Sequence, residues 1–342
     1  GLIEVEEVLC RQGTQLRRSF SLSAQVSHRC CSQPLQRVVT DLGADVSFQQ
    51  AAEKLWEHYR VRLPVETIRQ IVEGHGQAIL EAHEVQAAWP TEPGTEWLVA
   101  EMDGGMVPIM TPDPAQPDQR CGKSLGWKES KLCLVHPLGR ATPCYGGTLQ
   151  GGVDGLGREL FDCARAAGFG TRTHVHAVGD GAPWIVDQVD QHFGQQGRFL
   201  VDFYHACEYL AAAAKSADAD PSTWLERQKH RLKTHRLDAV LTDLQAHLEP
   251  QTVDESEAPV RVALRYFTNR RQHFDYQGAL QQGLPIGSGE IESAHRYVVQ
   301  QRLKRPGAWW RIEQAEAMLA LRLNRVNGHW EDYWQDLIKQ AA

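Results

Sequence analysis

Two aspartates stand out by their setting. Asp103 follows "EWLVAEM" and precedes Gly104 and Gly105, and Asp180 follows "THVHAV" and sits between Gly179 and Gly181. An apolar or alternating run that stops at an acid flanked by glycine reads as a strand with a carboxylate at its end. Gly-Asp-Gly is also a good turn, and for either residue alone a turn is a complete explanation. Together they say more. If the first and fourth strands of a sheet are neighbours, the two carboxylates approach, and such groups raise each other's pKa unless a cation lies between them. Hard oxygen ligands on a rigid edge suit Mg²⁺ or Mn²⁺. A pair of such ions about 4 Å apart activates a nucleophile and stabilises the leaving oxygen of a phosphodiester. A third carboxylate from another element is then expected. "GSGEIES" offers Glu290 and Glu292 at a helix start, where simple pairing of acids with the helix dipole is the competing reading.

The elements that must position these acids follow from the pattern. Residues 96–110 read as two apolar runs broken at Asp103, Gly104 and Gly105, a hairpin signal, and "ESKLCLVHPL" (129–138) as a third strand. A helix is expected over 153–167, then the strand ending at Asp180, a helix over 183–195, and at 197–210 a strand running into a helix. This order predicts an α/β fold with a mixed sheet whose first three strands form an antiparallel meander. Residues 206–281 turn helical and polar and read as an all-helical insertion. A Gly-rich stretch at 282–295 then opens a helical C-terminal region. Upstream, 47–80 holds two short amphipathic helices broken around Arg62 to Pro64, the rhythm of a helix-turn-helix that offers Thr67, Arg69 and Gln70 outward. Such helix pairs also serve as plain packing units. "WPTEPGTEW" (89–97) reads as a linker. The expected segments are 1–44, 45–88, 96–205, 206–281 and 282–342.

With 342 residues, 42% of them hydrophobic, the chain has material for a real core and for two or three domains. No apolar run approaches a membrane span, so no membrane partner is expected. The start has neither a signal-peptide core nor an initiator Met, and reads as that of a fragment or a processed chain. Eight cysteines without a repeated spacing suggest reduced cytosolic thiols, and "SHRCCSQ" (27–33) is at most the remnant of a zinc ribbon. The net charge of −7 argues against nucleic acid on average, yet residues 227–236 carry five Lys/Arg and no acid. Residues 296–325 carry seven Lys/Arg against two Glu. There Arg311 and Arg322 lie three helical turns apart, opposite an apolar stripe of Ile312, Ala315, Leu319, Leu323 and Val326. One face would pack and the other would meet phosphate. Trp309 and Trp310, beside Lys304, Arg305 and Arg311, suit stacking on an unpaired base. A buried anchor is the competing fate for one of the two.

"EMDGG", "VGDGAPWI", "VDFYH", "IGSGEIES" and "QRLKRPGAWWRIEQAEAMLALR" together resemble a bacterial insertion-sequence transposase of the ISKra family, related to the Mutator-like group, over residues 45–334. The resemblance implies an RNase H-like DD-E enzyme with a helical insertion between its second Asp and its Glu. Asp103, Asp180 and Glu292 would be the catalytic acids holding two Mg²⁺ or Mn²⁺ ions, with Glu290 in reserve. Asp202 and His205 match the Asp-x-x-His signature of Mutator-like enzymes in a supporting role, or else His205 simply hydrogen-bonds its strand-end Asp. The implied partners are the terminal repeats of a mobile element and target DNA. They would be met by Arg69, Lys304, Arg305, Trp309, Trp310, Arg311 and Arg322 of a homodimer or higher oligomer in the bacterial cytoplasm, on the nucleoid. The chain departs from the family at its N-terminus, where the paired-Cys ribbon is absent or eroded. The alternatives are a non-catalytic DNA-binding regulator and a plain RNase H-like nuclease.

Overall fold

The computed structural model describes residues 9–13, 15–18, 26–27, 31–83, 88–113, 115, 122–140 and 142–341. Part of the candidate ribbon, residues 28–30, lies outside them. The central sheet has five strands, β1 (Trp97–Pro112), β2 (Lys123–Pro137), β3 (Cys144–Thr148), β4 (His174–Gly179) and β5 (Gly197–Val201), in the order β3-β2-β1-β4-β5. The first three run antiparallel, and β4 and β5 lie parallel to β1. β1 and β4 are therefore neighbours, in register from Trp97↔His174 to Glu101↔Val178.

The hairpin expected at Asp103 is not there. β1 runs through Asp103, Gly104 and Gly105 and stays paired with β2 from Leu98↔Pro137 to Pro112↔Lys123, so the reversal comes after Pro112. A tight two-residue turn requires positive φ, and neither glycine has it. Their lack of a side chain serves a different need at Gly105, where a Cβ would stand 2.8 Å from His295 Nδ1. The third strand is likewise β3, "CYGGT", whose two glycines mute the β signal, while the run at 129–138 is the second half of β2.

Fourteen helices surround the sheet among the described residues. α1 (Gln33–Asp45), α2 (Phe48–Tyr59) and α3 (Val65–Ala82) precede it. α4 (Gly152–Ala166) follows β3, and α5 (Pro183–Phe193) joins β4 to β5. Then come α6 (Phe203–Ala217), α7 (Pro221–Lys233), α8 (Leu237–Ala246), α9 (Pro259–Asn269) and α10 (Tyr276–Gln281). The chain closes with α11 (Gly289–Ala294), a π-helical turn at His295–Gln300, α12 (Gln301–Leu303), α13 (Ile312–Val326) and α14 (Trp330–Ala341). Local chemistry starts several of them. Ser47 and Gln50 form a capping box at α2, and Asp202 and Asp220 accept backbone N–H groups at the starts of α6 and α7.

Alternation along β1 feeds two cores. Leu98, Ala100 and Met102 join Leu156, Phe193, Leu210 and Phe267, so helices α4 to α10 cover one face. Val107 and Ile109 join Leu55, Ile68, Val72, Val298, Met318 and Leu321 on the other. Each fully buried Leu, Val, Ile, Phe or Met side chain among them contributes about 1.5–3 kcal/mol. The second core mixes the two ends of the chain: α1 to α3 pack on α13 rather than forming a body of their own. α3 and α13 approach so closely that a Cβ on Gly76 would lie 2.6 Å from the Ala317 carbonyl oxygen.

Candidate active site

β4 pairs with β1 only as far as Glu101, and further along that same edge β1 meets Trp310 opposite Ile109. Between these points the edge is a notch, and Asp103 lies in it beside the Asp180 loop that leaves the end of β4. The Asp103 carboxylate, half-exposed, accepts the Gly104 N–H at 2.7 Å. Asp180 is exposed and accepts the Ala182 N–H at 2.8 Å. Its loop is tied to α9, because the Tyr266 hydroxyl donates to the Asp180 carbonyl at 2.8 Å and Arg270 Nε to that of Gly181 at 2.6 Å.

Burial raises the Asp103 pKa above the usual carboxylate range. The neighbouring charge of His295 works against this, while those of Asp180 and Glu129 add to it. His295, on the π-helical turn that follows α11, donates from Nε2 to the Asp103 main-chain oxygen at 3.2 Å and stands 3.7 Å from its carboxylate. Burial lowers the pKa of this imidazole. The two acids thus lie near each other, Asp103 in the middle of β1 and Asp180 just past the end of β4, without a Lys or Arg partner among the described residues.

The segment bearing the third acid is fastened by two other carboxylates. Glu101, buried on β1 two residues before Asp103 and on the same face, accepts the Ile291 N–H at 2.8 Å, and burial pushes its pKa to about 8. Asp202 accepts the N–H groups of Tyr204 and His205 with one oxygen and the Ser288 N–H and hydroxyl with the other, at 2.5 and 2.6 Å. Asp202 therefore links the end of β5, the start of α6 and the "GSGEIES" turn. His205 does not use its ring on Asp202, as the hydrogen-bonded reading expected. Only its backbone N–H does so, and the imidazole Nδ1 faces Glu208 at 3.4 Å and packs edge-on against Tyr209 and Tyr266.

Glu290 and Glu292 are both exposed. Glu290 approaches His136 at 3.4 Å, whereas the Glu292 carboxylate has no hydrogen bond or ion pair among the described residues and lies one helical turn before His295, whose N–H the Glu292 carbonyl accepts. Glu292 is thus the free acid on the turn that touches Asp103. Among the described residues no group of three or more His, Cys, Asp or Glu converges on a point that could hold a metal ion. Two adjacent carboxylates still fit the habit of Mg²⁺, which keeps several waters and takes one or two protein carboxylates together with substrate phosphates.

The residues expected to meet DNA divide. Arg322 is buried, and its guanidinium serves the carbonyls of Val298, Ala44 and Tyr297 and the Asp45 carboxylate. The outward basic face therefore does not include it, because helix α13 turns this position inward to close the N-terminal helices. Trp310 is the buried anchor, packed on Phe48 with Arg302 over its ring. Arg69 is held between Glu66 and Glu73, and Thr67 is buried instead of outward. Arg305 donates to the Gln50 side chain at 2.5 Å. Lys304, Trp309 and Arg311 remain at the surface. Sequence reasoning missed His295, Glu101 and the exposed Trp127. The i+3 spacing of His295 from Glu292 and the two-residue spacing of Glu101 from Asp103 were the available signals. The chain matches neither a known family model nor a curated protein.

Proposed function

We propose that this protein is a metal-dependent DNA transposase of the DD-E type. The observation that carries the reading is the notch in the sheet edge, where Asp103 within β1 lies beside Asp180 just past the end of the neighbouring parallel strand β4, and where neither carboxylate has a Lys or Arg partner among the described residues. The strand order β3-β2-β1-β4-β5, antiparallel then parallel, supports an RNase H-like sheet, and the helices between β5 and α11 support the insertion that the resemblance implies. In this reading Asp103 and Asp180 would hold Mg²⁺ or Mn²⁺, with Glu292 the third acid that the resemblance implies, and the metal would supply an activated oxygen nucleophile and charge stabilisation at the scissile phosphate. His295 fixes the main chain at Asp103, and Glu101 and Asp202 fix the turn that presents Glu292. Lys304 and Arg311 offer positive charge near the sheet edge.

Changing Asp103 or Asp180 to Asn tests this. Each variant should lose Mn²⁺ binding, read by electron paramagnetic resonance, and cleavage of DNA carrying the element's ends, while DNA affinity stays within a few fold. Full cleavage by Asp180→Asn would overturn the mechanism. Full cleavage by Glu292→Gln with none by Glu290→Gln would move the third role to Glu290. Joining of the freed 3′ end to a second duplex separates a transposase from a plain nuclease.

A further inference from the structure

Beyond Glu101 the β1–β2 hairpin loses β4, and before Lys131 it lacks β3, so its outer half projects from the sheet. The β2 arm is exposed on both faces from Lys123 to Glu129. It carries Trp127, 58% exposed, and against it stands Trp309, 39% exposed, with ring centroids 6.2 Å apart and planes inclined by 59°. Indole rings dominate cores and interfaces, so a touching pair left in solvent calls for an occupant. The pair is also preset. Met110 donates its N–H to the Trp310 carbonyl at 2.7 Å, Trp310 donates back to Pro108 at 3.3 Å, and the buried Trp310 ring pins the segment. Lys304 Nζ lies 5.8 Å from the Trp127 ring centroid, and the arm from Lys123 to Lys128 contains two lysines and no acid.

We propose that Trp127 and Trp309 form a platform on which an unpaired nucleotide stacks, with Lys304 beside it for the adjoining phosphate. This rests on the reading of the protein as a DNA-acting enzyme and names the form of DNA that reaches the hairpin. Positive charge next to exposed aromatic faces is the chemistry of single-strand binding, which duplex DNA, its bases already stacked, does not satisfy. The spacing is suitable. Trp127 pairs opposite Pro108, five residues past Asp103, or about 17 Å along the strand. That is roughly five nucleotides of one DNA strand.

The test uses the full chain and its Trp127→Ala, Trp127→Phe and Trp309→Ala variants. The probes are a blunt duplex, the same duplex with a 3′ overhang of thymidines, and one with an abasic overhang. The wild type should prefer the thymidine overhang, and that probe should quench tryptophan fluorescence. Either alanine variant should lose roughly tenfold affinity for it. The same variants should change by less than about twofold on the blunt and abasic probes, with melting temperatures unchanged. Trp127→Phe should keep most of the preference. Equal losses on all three probes, or no loss on any, overturn the platform and leave the DNA reading standing. A wild type that binds none of the probes overturns both. If Trp127→Ala dissolves a dimer in sedimentation without altering the preference, the patch belongs to a second copy and the proposal fails.

Discussion

Replacing Arg322 by Met separates a buried tie from a DNA contact. Arg322 gives Nε to the Val298 carbonyl at 2.6 Å, Nη1 to that of Ala44 at 2.6 Å and Nη2 to that of Tyr297. Its bond to Asp45, at 3.1 Å, counts for little, since that carboxylate is half-exposed and keeps Arg325 at 2.9 Å. Methionine fills much of the same volume but donates nothing, so two buried carbonyls and one part-buried carbonyl lose this donor. At about 1.5–2 kcal/mol for each, less about 1 kcal/mol for the relief of no longer burying a cation, the loss is about 3–5 kcal/mol. With 342 residues and an unfolding entropy near 2.1 cal/mol/K per residue, the melting midpoint should fall by about 4–7 °C. Calorimetry reads this directly. DNA binding by the folded variant should keep its salt slope, whereas a lost phosphate contact lowers that slope by about one unit. An unchanged melt with a flatter slope would refute the burial argument and restore Arg322 to the DNA face.

Gly105→Ala should place a methyl 2.8 Å from His295 Nδ1, displacing the imidazole from Asp103. Overpacking of about 1–3 kcal/mol is expected in melting, together with slower cleavage, and full activity would show that His295 is not needed where it stands. Burial also lowers the pKa of His176, whose Nε2 faces the Pro285 carbonyl at 2.8 Å. A base with a depressed folded pKa binds fewer protons than the unfolded chain, so its contribution is present above about pH 6.5 and is lost as pH falls below it. His176→Gln should flatten that acid limb in denaturant titrations, and an identical limb would assign the effect elsewhere. Trp310→Ala should cost about 3–5 kcal/mol in urea unfolding as a buried aromatic deletion, and a melt like the wild type's would contradict its role as anchor.

The sequence announced the parts of the site that depend on local pattern. The strand closing at Gly179, the helix after Pro183 and the strand running into α6 at Asp202 stand where their periodicity put them, because each is short and bounded by glycine or proline. The hairpin was misplaced because Asp103-Gly104-Gly105 has turn composition but lies in an extended strand, with the space above Gly105 taken by His295, 190 positions away. Arg322 was misread for a related reason. Helical spacing says which residues share a face but not what a distant segment brings to it, and Ala44 and Asp45 come from the other end of the chain. Trp127 gave no periodic signal at all, since its strand is exposed on both faces there. The ordered acids were visible, and the histidine, glutamate and serine that hold their elements in place were visible only as contacts.

The shared core of α3 and α13 sets a timetable for making the protein. A ribosome adds roughly 5–20 residues per second, so α13 emerges on the order of 12–50 s after α3 is complete. During that interval Ile68, Ile71 and Val72 face a surface whose cover has not been synthesised, and the carbonyl of Ala44 still lacks the guanidinium that will meet it. The packing of the first helices is completed only when α13 is made, whereas the helices over the opposite face of the sheet, which share a core among themselves, are all synthesised before it. A codon substitution that slows elongation between the two helices should therefore lower the soluble yield even though the amino-acid sequence and the finished structure are unchanged.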